Sequence, residues 1–267
     1  MINNIIELRH ITKTYMQGKT SILALDDFSL EVPQGSFVSL MGPSGCGKST
    51  VTKIIAGIEK ADSGQVLIYG KNQINGVSRD IQLKMGYVFQ WHNLTEWRTV
   101  EENLYFPLEM LGIKKDFSWT ERAEKYLNLV GLYKYRKVYP HELSGGMKQR
   151  VGIARSLMLE PEILVFDQPF GALDAITRGI LANLLSTEMR NQGKTILMIT
   201  SDTEEAVHYC DYIYVMTSQP GHNRTMLKTN ITEDQRKDPN LLIQNDFLAL
   251  DRKLIQIINS EENDIEK

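Results

Sequence analysis

The run Gly42-Pro43-Ser44-Gly45-Cys46-Gly47-Lys48-Ser49-Thr50 fits the pattern G-x-x-x-x-G-K-[S/T]. Residue types in this order hold phosphate. Glycines let the backbone wrap so that successive N–H groups point inward, and a following helix adds the partial positive charge of its N-terminus. Lys48 would pair with the terminal phosphates of a nucleotide, and Ser49 would ligate Mg²⁺. Cys46 reads as a small filler of this loop, not as a nucleophile. The plain alternative is a Gly-rich turn that only links a strand to a helix. A second candidate is Asp167, which ends the apolar run Ile163-Leu164-Val165-Phe166. An acid at a strand's carboxyl edge can hold the Mg²⁺ shell, although alone it reads equally as a turn former.

The elements around these residues suit that chemistry. Phe37 to Met41 is an apolar run of strand length before the loop, and Thr50 to Ile58 has helical spacing after it. Ile5 to Ile11 and Phe28 to Val32 alternate as half-buried, antiparallel strands do. From Leu94 to Leu132 the spacing becomes helical, and Pro107 and Gly112 predict breaks between several short helices. Ile163 to Phe166 and Thr195 to Ile199 read as parallel strands covered on both faces. Turn formers at Ser218 to Asn223 precede a helical pattern over Leu241 to Ile258, and the charged stretch Ser260 to Lys267 is expected to fray.

The fold class predicted is α/β, a doubly wound P-loop NTPase core with an antiparallel β subdomain, a helical insert and a C-terminal helical tail. Residues 1–230 would form the nucleotide-binding domain, with the insert at about 91–155, and residues 231–267 the tail. Composition agrees with one such domain. The 267 residues are 42% apolar and 24% charged, with a net charge of −3 and no basic cluster of the kind a nucleic-acid binder shows. No apolar run is long enough to span a membrane, and Met1-Ile2-Asn3-Asn4 lacks the pattern of a signal peptide. Two cysteines, Cys46 and Cys210, are too few for a disulfide framework. A cytosolic location is expected, with any membrane contact made through a partner.

The phosphate loop leaves kinases, GTPases and many ATPases open, and Leu143-Ser144-Gly145-Gly146-Met147-Lys148-Gln149-Arg150 narrows the field. Ser144, Gly145 and Gly146 ahead of a helix make a second anion site. The octet resembles the signature motif of ABC ATPases. That resemblance implies a head-to-tail dimer in which the signature of one chain closes over ATP and Mg²⁺ held by the other. It also implies that Tyr15, in Ile11-Thr12-Lys13-Thr14-Tyr15, stacks on adenine. Gln90, in Tyr87-Val88-Phe89-Gln90, would sense Mg²⁺ and water, so that Ser49, Gln90 and Asp167 share the metal. Gly171-Ala172-Leu173-Asp174 resembles the loop linking the paired sites. Taken singly, Tyr15 could be core, Gln90 a solvated turn residue and His141 a surface residue. Order and spacing along the chain favour the functional reading for Tyr15 and Gln90 but not for His141.

Within the family, Leu94 to Asn103, Pro169 to Asp174, Lys237-Asp238-Pro239-Asn240 and Phe247 to Leu250 are similar to the nitrate, sulfonate and taurine importers. Such importers pair two ATPase subunits with polytopic membrane permease subunits and, indirectly, an extracytoplasmic solute-binding protein. The resemblance places the chain peripherally on the cytoplasmic face of the membrane. The helical insert would receive the permease's coupling helix.

Two positions depart from the family pattern. Gln168 stands where a glutamate polarises the attacking water, and Ser201, in Thr200-Ser201-Asp202, stands where a histidine contacts the γ-phosphate. An amide cannot accept a proton, and a serine cannot become cationic. Three readings follow. The chain could be a degenerate half of a heterodimer, an ATP-trapped variant, or a slow homodimer with another water-activating group. Outside transport, a soluble ABC protein is the alternative, as is an ATP-gated subunit that does not hydrolyse.

Overall fold

The computed structural model describes residues 3–238 and 240–265, with side chains placed as far as Ser260. In chain order the elements are β1 (Asn4–Gln17), β2 (Thr20–Pro33), β3 (Phe37–Met41), α1 (Lys48–Ile55), β4 (Ser63–Ile68), β5 (Lys71–Asn72), α2 (Arg79–Gln82) and β6 (Met85–Val88). Then follow α3 (Val100–Met110), α4 (Phe117–Leu129), α5 (Gly145–Leu157), β7 (Ile163–Asp167), α6 (Ala175–Asn191), β8 (Thr195–Ile199) and α7 (Thr203–Tyr209). The chain closes with β9 (Tyr212–Met216), β10 (Asn223–Lys228), α8 (Glu233–Arg236) and α9 (Asn245–Ile265). It divides into two compact units, residues 1–82 with 195–267, and residues 83–194.

In the first unit β1 and β2 form a long antiparallel pair, and the sheet order is β2-β1-β4-β5. Alternation around Ile5 to Ile11 is what half-buries this sheet, with Ile6, Leu8, Ile11, Phe28, Leu30 and Val32 inside. The unit's other strands run β10-β9-β3-β8, with β3 parallel to both β8 and β9. Every residue of β3 and β8 is buried, including the polar Ser39 and Thr195 among their otherwise apolar residues. Helix α1 ends at Ile55, short of the predicted Ile58, because Gly57 adopts a φ of +73° that stops it.

The tail belongs to this unit. The predicted helix over Leu241 to Ile258 divides into a 3-10 turn at Leu241–Ile243 and α9, which packs on α7. Arg236 fixes the approach: its guanidinium is buried and donates to the carbonyls of His208 and Cys210 and to Asp211. Orphan carbonyls at the end of α7 are thereby satisfied. The Phe247 ring meets the His208 imidazole edge-on at 6.4 Å. Met1, Ile2 and Pro239 lie outside the described residues, as do the side chains of 261–267 on which the expected fraying bears.

In the second unit β6 and β7 pair in parallel, Met85 against Ile163 through Val88 against Phe166. Helices α3, α4 and α5 pack together. Pro107 does not break α3, contrary to the sequence expectation; Gly112, with a φ of +68°, follows its end. An interior proline costs about 3 kcal/mol. Burial of Val100, Leu104, Tyr105 and Leu108 offsets it, together with a Thr99–Glu102 capping box. Asn103, fully buried, further anchors the helix by donating to the carbonyls of Thr95, Arg98 and Thr99.

Candidate nucleotide-binding site

The phosphate loop leaves the carboxyl end of β3 and returns as α1. Gly42, Gly45 and Gly47 have φ values of +147°, +80° and +99°, which L side chains rarely adopt. Space tells the same story at two of them. A Cβ on Gly42 would lie 2.9 Å from the Met216 carbonyl oxygen, and one on Gly47 would lie 2.8 Å from Leu25 Cδ2. A Cβ on Gly45 would meet nothing within 4 Å, so that glycine keeps the loop crest open. Ser44 and Gly45 are exposed there, Pro43, Ser49 and Thr50 are half-buried, and Cys46 is fully buried.

Lys48 is buried at the base of this loop, and its Nζ donates to the carbonyls of Gly42 at 2.7 Å and Pro43 at 2.6 Å. The ammonium is thus held across the loop by the backbone it serves. Cys46 Sγ lies 3.6 Å from the same nitrogen. Burial pushes the Cys46 thiol up, with Lys48 only partly opposing, so the cysteine stays a neutral filler as its size suggested. Left-handed glycines, an open crest, a helix N-terminus and a captive ammonium fit a nucleotide triphosphate.

Two further residues of this unit reach the loop's neighbourhood. The Tyr15 hydroxyl donates to Thr50 Oγ1 at 3.5 Å, tying the antiparallel sheet to α1. Ser201 is exposed just beyond β8, whose Ile199 is in parallel register with Leu40, so both strands deliver their following residues to one carboxyl edge. Asp202 caps α7 by accepting from Glu205 N–H at 3.0 Å, and Thr200 Oγ1 donates to Glu205 at 2.7 Å.

Sequence reading missed one support of the loop. Gly221, in the turn between β9 and β10, bridges to Leu25 and donates to the Ala24 carbonyl at 3.0 Å. A Cβ there would run into the Cys46 carbonyl oxygen. The Pro-Gly pair was legible as a turn, but its role as a floor under residue 46 needs the fold.

In the second unit, parallel register carries Gln90 and Gln168 to the same strand ends, one residue pair beyond 89 and 167. Gln90 Nε2 donates to Gln168 Oε1 at 3.1 Å. Asp167 is buried at the end of β7, and Gln168 takes a φ of +50°. The signature residues stand at the start of α5. Ser144 caps the helix by accepting from Met147 N–H at 3.3 Å, and a Cβ on Gly145 would meet open space. At Gly146 a Cβ would lie 3.0 Å from Leu173, so the signature and the 171–174 loop are brought together. Asp174 caps α6, and the Thr177 N–H holds its carboxyl below the usual range.

Helix α5 also fixes the segment after β6, a role the motif alone did not announce. Buried Gln149 donates to the Phe89 carbonyl at 3.2 Å, and Arg155 donates to those of His92 and Asn93. His141 stacks on Tyr139 at 5.8 Å in a 3-10 turn before the signature. That matches its surface reading.

The comparisons decide the family. Residues 25–171 match the ABC transporter family model. An uncharacterized ABC transporter ATP-binding protein of Methanocaldococcus jannaschii is 39% identical over 256 residues, 96% of this chain and 92% of that protein. This chain belongs to the ABC transporter family. The nitrate import ATP-binding protein of Synechocystis sp. is 37% identical to this ABC chain, across 88% of it and 86% of the relative. The aliphatic sulfonates import ATP-binding protein of Bacillus subtilis is 34% identical, across 94% and 93%. Among solved structures, a dimeric post-hydrolysis ATP-binding cassette bound to ADP and Pi is 35% identical. It matches with a TM-score of 0.77 over 84% of this chain and 99% of its own. The chain therefore has the α/β ABC cassette fold, with its antiparallel and parallel sheets, and is an ABC-type ATPase subunit. Among the described residues, no helix is long and apolar enough to cross a membrane.

Proposed function

We propose that this cassette couples ATP binding to uptake of a small anion such as nitrate, a sulfonate or taurine, and that its own hydrolytic site is impaired. The observation that carries the second part is the 3.1 Å bond from Gln90 to Gln168. Gln168 is engaged there through its Oε1, and the side chain that stands at the end of β7 is an amide. An amide can orient water by hydrogen bonds but is too weak a base to take its proton.

In this reading the Gly42–Thr50 backbone and Lys48 hold the phosphates, Tyr15 stacks on adenine, and Ser49, Gln90 and Asp167 are the groups for Mg²⁺. When bound, Mg²⁺-ATP supplies the phosphoryl group and the charge-neutralising metal. Ser144, Gly145 and Gly146 serve the partner's nucleotide, because the N-terminus of α5 is capped, glycine-lined and open at residue 145. Asp174 stays ionised and keeps the 171–174 loop fixed to α6. Ser201, exposed at the carboxyl edge, offers a hydroxyl where a longer cationic side chain would reach phosphate.

An intact signature beside two altered hydrolytic positions favours a heterodimer whose second cassette retains glutamate and histidine. The exposed apolar residues Trp91, Trp97 and Phe117 support docking of a permease, through which the chain would sit on the cytoplasmic side of the membrane. A solute-binding protein would engage that permease, not this chain, and choose the solute. No nucleic acid is involved.

The test is capture of the native complex through a tag on this chain, followed by counting its subunits. The expected complex holds permease subunits, one copy of this chain and one different cassette. Two copies of this chain would contradict the heterodimer, and the absence of any polytopic membrane protein would contradict the importer.

A further inference from the structure

Lys13 is held in an unusual way for a lysine. Its side chain is only 12% exposed, and Nζ lies between Glu59 at 3.8 Å and Asp62 at 3.5 Å. The same ammonium sits over the Tyr15 ring, 5.2 Å from its centroid. Asp62 has a second duty, accepting the Thr14 N–H at 2.6 Å between the two side chains. Its own N–H donates to the Thr12 carbonyl at 2.9 Å, so residues 59–62 are fastened to β1 at several points. With the Tyr15 hydroxyl bound to Thr50, the ring is held at its tip and along one face.

We propose that Lys13, aimed by Glu59 and Asp62, is a positioning residue for the nucleotide base. This rests on the reading of Tyr15 as the base-stacking residue. A cation over the face of an aromatic ring is attracted by the ring's quadrupole, and it restricts ring rotation. With the ammonium on one face, a purine would stack on the other. Taking an ammonium out of water is unfavourable unless it is compensated, and the two carboxylates supply that compensation. A lysine serving only as a surface ion pair would not need to lie over the ring. The contribution belongs to the base and not to the phosphates, which are held by the loop at Lys48.

The experiment measures binding of ATP and of inorganic tripolyphosphate to the full chain carrying Lys13→Met, Lys13→Arg or Tyr15→Ala. Lys13→Met is expected to weaken ATP binding about fivefold, with tripolyphosphate unchanged and Lys13→Arg restoring most of the loss. Tyr15→Ala should weaken ATP further, again sparing tripolyphosphate. If Tyr15→Ala weakens ATP but Lys13→Met does not, base stacking stands and the role of Lys13 is overturned. An equal loss of both ligands in Lys13→Met overturns it as well, since that marks damage to the phosphate loop. If Tyr15→Ala leaves ATP binding intact, the stacking reading itself fails and the inference with it.

Discussion

The phosphate loop and the end of β7 lie at strand ends of the same kind, yet they differ in what does the chemistry. At residues 42–50 the working parts are backbone N–H groups, positive-φ glycines and one buried ammonium. At 167–168 and at 201 the work falls to side chains, and two of those cannot exchange a proton near neutral pH. A backbone cradle survives as long as the loop's shape survives, whereas a proton acceptor is lost with a single amide. Binding and turnover are therefore separable in this chain, and each can be broken alone.

The largest effect belongs to the loop. Lys48→Ala should lower ATP affinity about 100-fold, from loss of charge-assisted bonds to phosphate, as measured by equilibrium binding. Gly221→Ala strikes the same region from beneath, because its Cβ would displace the Cys46 carbonyl. It should destabilise the fold by about 1–3 kcal/mol in denaturant titration and weaken ATP binding about 10-fold. Gln149→Leu tests the other side by leaving the Phe89 carbonyl without its donor. A cost of about 1 kcal/mol in stability is expected, with ATP affinity unchanged.

The smallest effect is a pH dependence. The Asp174 carboxyl titrates below its ordinary range because the Thr177 backbone N–H binds the ionised form. A carboxylate with a lowered folded pKa contributes stability that is complete above its unfolded value and disappears as pH falls through the folded one. Hydrogen exchange of the first turn of α6 should therefore show constant protection from about pH 5 to 8 and lose it only in stronger acid. Loss of protection between pH 6 and 7 would mean that a group other than Asp174 caps the helix.

How far these regions could be read beforehand follows the same division. The loop was legible because its glycines, lysine and hydroxyls are contiguous, and β3, β7 and β8 were legible as mostly apolar runs of strand length. The Gln90–Gln168 bond joins residues distant in sequence and depends on the β6–β7 register, which no local pattern encodes. Gly221 meets Cys46 only because β9 lies beside β3. Pro107 was misread as a helix break, since propensity registers the missing N–H but not the anchoring of Asn103 or the buried face of α3. Helix α6 also escaped notice, its apolar spacing blurred by the exposed Ile176, Ile180 and Leu184.

Separable binding and turnover is tested most directly by ATP hydrolysis in the purified chain beside its Gln168→Glu, Ser201→His double variant, with ATP binding verified for both. Equal ATP affinity is expected, with turnover negligible in the unmodified chain. Turnover in the double variant would show that the two side chains silence a chain able to pair with itself. If neither turns over, the missing partner accounts for the silence. Brisk hydrolysis by the unmodified chain would contradict the assignment of Gln168 as the defect.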